Sequence, residues 1–143
     1  MKLLNFFFLI SFSYFVSSDD LTINLSGQTK AGVLSLAIFD NPKEYTKSVK
    51  GEKRTEDGIF SGIESYIDLR DKHSFIIDLP EGTYAIALFI DVNKNLKIDK
   101  NFLGIPKEQY GFSNNAMGKL SAPTFEQAMF KVQGKTIQNI LLK

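Results

Sequence analysis

The chain contains no cysteine. Disulfides, thiolate metal sites and attachment through a lipidated N-terminal cysteine are therefore excluded, and an exported chain of this size must be held by packing alone. Histidine is nearly absent as well. His73 stands alone, so no paired-histidine metal motif can form. Neither sign of charge is in excess, with 17 basic against 16 acidic side chains, which removes the electrostatic case for nucleic acid. The sequence also lacks a nucleophile elbow, a phosphate-binding loop, an internal repeat and a low-complexity tract. Its longest apolar stretch, Leu3 to Val16, is interrupted by Asn5, Ser11 and Ser13 and falls well short of the roughly 20 residues that cross a bilayer.

What that stretch does fit is secretory-signal anatomy. One early cation, Lys2, precedes it, and Val16 and Ser18 are small enough for the positions three and one before a signal-peptidase cut. Residues 1–18 are expected to be a signal peptide and Asp19 the first mature residue, in the periplasm, at the surface of a bacterium or in the medium. The remaining 125 of the 143 residues suit one domain, 19–143, with no membrane span. Loss of Lys2 leaves that domain with 16 basic and 16 acidic side chains.

Apolar alternation organises the domain. In "LTINLSG", Leu21, Ile23 and Leu25 point one way and Thr22 and Asn24 the other, the pattern of a half-buried strand. "VLSLAIFD" is nearly continuous in apolar residues and should be a central strand. The segment 41–58, with Pro42 and two glycines among many polar residues, predicts an exposed loop containing one helical turn around Glu44 to Val49. "IFSGIESYIDLR" returns to strand character, with Gly62 suggesting a bulge. "HSFIIDLPEGTYAIALFID" predicts a hairpin about Leu79-Pro80-Glu81-Gly82, because Pro presets φ and Gly relieves the turn. "AMFKV" and "KTIQNILLK", separated by Gln133-Gly134, predict a closing hairpin. About seven short strands and little helical periodicity predict an all-β fold, an antiparallel β-sandwich that is immunoglobulin-like or prealbumin-like, with a closed barrel as the alternative.

The strand "TYAIALFI" runs into "DVNKNLKIDKNF", a stretch that meets much of the twelve-residue calcium pattern. Calcium takes six to eight oxygens, and alternate residues of a short loop can present them. Asp91, Asn93 and Asn95 have that spacing, Lys97 would supply a carbonyl and Asp99 a carboxylate acting through water. Leu96 stands where glycine permits the sharp turn, and Phe102 where a glutamate should close the cage, so a missing carboxylate would come from Asp40, Glu108 or Glu126. The alternative is that the same Asp and Asn side chains bond their own backbone and shape a polar exit from the strand.

Residues 92–127 form a connection far longer than the usual roughly four to six residues. Phe102, Leu103 and Ile105 are expected to return to the core, with Asn114 and Asn115 bonding backbone groups in a self-packed loop. The competing expectation is a ligand surface, in which Tyr110, Phe112, Asn114 and Asn115 offer stacking and hydrogen bonds to a glycan or peptide. Because "LSLAIFD" and "AIALFID" both end in aspartate before a long loop, an immunoglobulin-like strand order would place Asp40 and Asp91 at one end. Segments 41–58 and 92–127 would then share a face.

"GTYAIALFIDVNKNLKID", "NFLGIPKEQYGFSNNA", "PTFEQAMFKV" and, more faintly, "GVLSLAIFD" resemble the family of small exported bacterial proteins catalogued as domain of unknown function 2141. That resemblance covers essentially the whole mature chain and implies a secreted β-rich domain without assigning an activity. The family pattern usually has glycine at the position of Leu96. The "LPEGTY" turn and its strands are similar in shape to prealbumin-like and carboxypeptidase-regulatory-like sandwiches, which host many functions. An exported binding or structural module without catalysis is the expectation, with calcium as its one conceivable cofactor. A small secreted hydrolase acting on glycan or peptide is the alternative, carried by no particular carboxylate pair.

Overall fold

In the computed structural model, residues 18–51, 58–69 and 72–143 are described. The expected signal peptide, apart from Ser18, and the middle of the 41–58 segment lie outside them. Strict alternation makes β1 (Ser18–Ser26) a half-buried strand, with Leu21, Ile23 and Leu25 inward. It pairs antiparallel with β4 (His73–Pro80) and parallel with β8 (Thr136–Leu141), giving a three-stranded sheet in the order β4-β1-β8. The second sheet has the order β3-β2-β5-β6, where β2 is Gly32–Phe39, β3 Ser61–Ile67, β5 Gly82–Asp91 and β6 Tyr110–Phe112. The short β7 (Phe130–Val132) pairs with the beginning of β5. The described residues form an all-β sandwich of eight strands.

The near-continuous apolar runs of β2 and β5 are explained by burial on both faces. Leu34, Leu36 and Ile38, with Ile86, Leu88 and Ile90, pack against Leu21, Ile23, Leu25 and Ile140 between the sheets. Residues of the opposite parity, Ala37, Phe39, Ala85 and Ala87, face a second cluster that contains Tyr45, Phe125 and Ala128. A third layer therefore covers this sheet: α1 (Pro42–Lys50) and the single-turn α2 (Phe125–Ala128). The Asn41 side chain caps α1 by accepting from the Lys43 and Glu44 amides at 2.9 and 3.3 Å, and Gly51 ends it in the left-handed region at φ 82°. Tyr45 is fully buried, its ring edge-on to Phe39 and Phe125 with centroids 5.7 Å away in each case. The beginning of the 41–58 segment is thus a packed helix, more than the exposed loop with one helical turn that its composition suggests.

Neither expected hairpin forms. β4 belongs to the first sheet and β5 to the second, so Pro80–Gly82 is a corner between sheets, braced by the Tyr84 hydroxyl donating to the Pro80 carbonyl at 2.9 Å. Likewise β7 pairs with β5 while β8 pairs with β1, so Gln133-Gly134 carries the chain across the sandwich. Both turns have hairpin chemistry, but hydrophobic packing is better served when consecutive strands cover opposite faces of one core. Gly62 opposes Ala37 in unbroken register, without a bulge; a Cβ there would lie 3.0 Å from the Leu36 carbonyl oxygen.

Candidate functional site

β5 ends in Asp91, whose side chain is buried at 1% exposure and folds the following loop around itself. Its two oxygens accept from the Asn95 and Leu96 amides at 3.2 and 2.8 Å. Leu96 reaches that position with φ +64°, the left-handed conformation that the glycine-preferring sixth position requires, and Lys94 is similar at φ +60°. Asp99 then receives the amide groups of Asn93 and Asn95 at 2.6 and 3.0 Å. The carboxylate beyond the pattern is Glu108. One of its oxygens accepts from the Val92 amide at 2.9 Å and the other from the Asp99 amide at 3.0 Å, so it ties the two ends of the loop together. Glu108 is 7% exposed, and neither it nor Asp91 has a cationic side-chain partner among the described residues.

Of the three carboxylates considered as a closing ligand, the fold brings only Glu108 to the loop. Asp40 is displaced by strand direction. β2 and β5 are antiparallel neighbours, with Val33 opposite Asp91 and Phe39 opposite Ala85. Asp40 therefore lies beside Tyr84, seven residues along β5 from Asp91 and roughly 23 Å away at ~3.3 Å per residue. The common end expected for Asp40 and Asp91 falls with it, as does Asp40 as an oxygen donor. Segments 41–58 and 92–127 do meet on the outer face of the second sheet, where Tyr45 packs on Phe125 and donates to the Pro123 carbonyl at 3.2 Å. Glu126 is exposed on α2, which leads directly into β7 beside Tyr84, and so sits at the far end too. Tyr110 and Phe112 stand on β6, the strand at the end of the second sheet beside β5, and Phe112 packs in the cluster that holds Tyr45 and Phe125.

Residues 108–115 form a brace in which nearly every side chain holds a different part of the fold. The Gln109 carbonyl oxygen accepts from the Thr29 and Lys30 amides at 2.6 and 3.1 Å, and its amide donates to the Gly27 carbonyl at 3.0 Å, fixing the β1–β2 connection. Tyr110 exchanges backbone hydrogen bonds with Lys143, at 3.3 and 2.9 Å, and so stitches the second sheet to the end of the first. Gly111 runs so close to β8 that a Cβ would come within 2.6 Å of Ile140. Ser113, fully buried, accepts from the Ile86 amide at 2.9 Å and donates to the Ala128 carbonyl at 2.6 Å.

Asn114 and Asn115 complete it with left-handed backbones, φ 58° and 51°. Asn114 donates to the Ala128 and Met129 carbonyls and exchanges bonds with the Gln138 side chain. Asn115 pairs with the edge of β8, donating to the Asn139 carbonyl at 2.9 Å and accepting from the Leu141 amide at 2.7 Å. Phe112 is buried in the layer beneath the helices, and Tyr110 is half-buried against it at 5.8 Å. The four residues considered for a ligand surface all make contacts within the fold, and Asn114 and Asn115 are exposed as well.

Phe102, Leu103 and Ile105 do the reverse of what was expected: they stay out of the core. Lys100 bridges Pro106, and Asn101 closes a tight loop by accepting on its side chain from the Leu103 and Ile105 amides at 2.9 and 3.0 Å. The result is a short finger with Phe102 95% exposed at its tip. This insertion explains why Glu108 does not stand at the twelfth position of the pattern. The sequence carries no local signal for its role, nor for that of Gln109. His73 begins β4, its Nε2 3.0 Å from the Asp68 carbonyl, a strand-end contact. Among the described residues, no group of three or more His, Asp or Glu side chains has the proximity of a metal cage, so a cation at Asp91 would depend on amide and carbonyl oxygens for most of its shell.

No curated protein and no solved structure matches the chain. A family model described as an uncharacterized protein conserved in bacteria, DUF2141, matches residues 23–139, from the first strand to the last and through both the Asp91 loop and the 108–115 brace. On that match the chain belongs to this bacterial family.

Proposed function

We propose that this chain is an exported, non-catalytic binding module of the bacterial envelope, whose working part is the loop from Asp91 to Glu108 organised by a calcium ion. The observation that carries the reading is the pair of buried carboxylates, Asp91 and Glu108, that face one polar loop without a cationic side chain between them. Burying carboxylates is costly unless charge is compensated, and backbone amides compensate only in part. A half-turn of the Asn93 and Asn95 side-chain amides, which donate to Asp99, turns their oxygens toward Asp99 and offers a cation two more ligands, at the cost of the bonds those oxygens accept from the Asn95 and Lys97 amides. Asp91, Asn93, Asn95, the Lys97 carbonyl and Asp99 are then the oxygen set, with Glu108 holding the two ends of the loop in place around it, and calcium is the hard cation that such a mixture of carboxylate and amide oxygens suits. Export rests on Lys2 and the short apolar stretch before Ser18.

Isothermal titration of chelator-treated protein with calcium tests the reading. Saturable one-to-one binding that Asp99→Ala removes is expected. Absence of heat at millimolar calcium would leave the loop a self-bonded turn.

A further inference from the structure

The finger from Asp99 to Lys107 has a composition that the fold does not need. Its tip residues Phe102 and Leu103 are 95% and 68% exposed, Ile105 is exposed behind them, and Leu96 is 79% exposed on the adjoining turn. None of these contributes to either buried cluster. Solvent-facing apolar residues scattered singly are ordinary, but several gathered on one projecting, hydrogen-bonded loop mark a contact surface. The finger is rigid enough to present them, since the Asn101 amide donates to the Ile105 carbonyl at 2.8 Å and the Lys107 amide to the Asp99 carbonyl at 2.7 Å.

The charges around this tip decide what it fits. Lys94, Lys97, Lys100 and Lys107 are all exposed on the same excursion. The acids of the excursion are turned inward on it or partnered within it, since Asp91 and Glu108 are buried and Asp91, Asp99 and Glu108 accept from backbone and side-chain amides of the loop itself. The outward surface is therefore apolar at its point and cationic around it. Protein interfaces are depleted in lysine. A second copy in an isologous contact would bring the same lysines face to face. An anionic bilayer takes both parts: aromatic and aliphatic residues enter the headgroup boundary while lysines meet the negative surface.

We infer that the finger is a membrane-docking element, in which Phe102, Leu103 and Ile105 insert shallowly into the interface of an anionic lipid bilayer and Lys94, Lys97, Lys100 and Lys107 hold it there. This goes beyond the calcium reading and does not need the cation, since the finger's own hydrogen bonds shape it.

The test is co-sedimentation of the processed protein, purified from an exporting bacterial host, with vesicles of phosphatidylcholine alone or with one third phosphatidylglycerol. Each measurement is made in calcium and in chelator. Binding to the anionic vesicles only, lost in high salt, is expected in both conditions. Phe102→Ser with Leu103→Ser should lower the partition at least tenfold while melting with the parent, because both side chains are outside the core. Lys100→Gln and Lys107→Gln should each lower it roughly fivefold, as a lysine near an anionic surface contributes about that factor. Equal binding to neutral vesicles, no binding to either, or binding that the serine variants leave unchanged would overturn the inference. So would a dimer in solution that the serine variants convert to monomer, which would make the tip a self-association surface.

Discussion

Replacing Ser113 by alanine removes one hydroxyl from the centre of the brace and should destabilise the protein far more than a serine usually does. Ser113 is 0% exposed, and its oxygen is the partner of the Ile86 amide at 2.9 Å. The Ala128 carbonyl, which that hydroxyl also serves, keeps the Asn114 side-chain amide at 3.2 Å. The variant therefore strands one buried N–H in the middle of β5, next to the pairing with β6, because the alanine methyl cannot accept a hydrogen bond. An unsatisfied buried donor costs about 1–3 kcal/mol. With an unfolding entropy near 2.1 cal/mol/K per residue over a domain of about 125 residues, a loss of about 2 kcal/mol lowers Tm by about 8 °C. Thermal unfolding followed by circular dichroism measures it, with Asn115→Ala as a companion expected to cost about 1 kcal/mol through the edge of β8. A change in Tm below about 2 °C for Ser113→Ala would refute the view that residues 108–115 are an architectural brace.

Leu96→Gly should stabilise the protein by about 0.5 kcal/mol in chemical denaturation, because a left-handed non-glycine residue costs ~1–2 kcal/mol and glycine returns part of that as chain entropy; a loss of stability would show that Leu96 packs in the fold. Burial pushes the Tyr45 phenol far above its ordinary range, so the folded state keeps the proton that the unfolded state loses above about pH 10. That contribution is complete below pH 10 and declines as pH rises further, by up to about 1.4 kcal/mol per pH unit, and Tyr45→Phe should flatten the decline; an unchanged slope would contradict it. Intact-mass measurement of exported protein should find Asp19 as the first residue, and recovery of chains that retain Met1 would remove the signal-peptide assignment.

The sandwich was legible in the sequence because its strands obey period-two alternation and its two central strands are apolar on both parities. Strand partnership was not. β1 and β4 pair across about fifty residues, and the Pro80–Gly82 turn, which has every hairpin mark, instead turns the chain from one sheet to the other. That single mistake carried Asp40 into the calcium set, since the inferred strand order made β2 and β5 run in one direction. Asn41, Pro42 and Gly51 cap, start and stop α1, but the polar composition of 41–58 suggests a loop with one helical turn, and the depth to which Tyr45 is buried depends on the layer formed by α2. The Asp91 to Asp99 spacing was visible at once, because calcium-type loops are local. Glu108 is not distinguishable in the sequence from Asp40 and Glu126 as a closing carboxylate, for the inserted finger breaks the spacing that would single it out. The exposure of the finger is not legible either, since apolar side chains ordinarily return to a core and only the completed fold leaves Phe102 outside it.

Thermal unfolding of the parent and of Glu108→Gln, each in calcium and in chelator, addresses the organising role of the cation most directly. A ligand bound only by the folded state at about a hundred times its Kd adds about 2.7 kcal/mol, or about 10 °C for a domain of this size. The parent should show that gain. The Glu108→Gln protein, which keeps acceptors for the Val92 and Asp99 amides only in part and loses the carboxylate, should melt lower and gain little or nothing from calcium. Identical melting of the parent in calcium and in chelator would contradict a calcium-organised loop and leave the 91–108 segment as a turn held by its own hydrogen bonds.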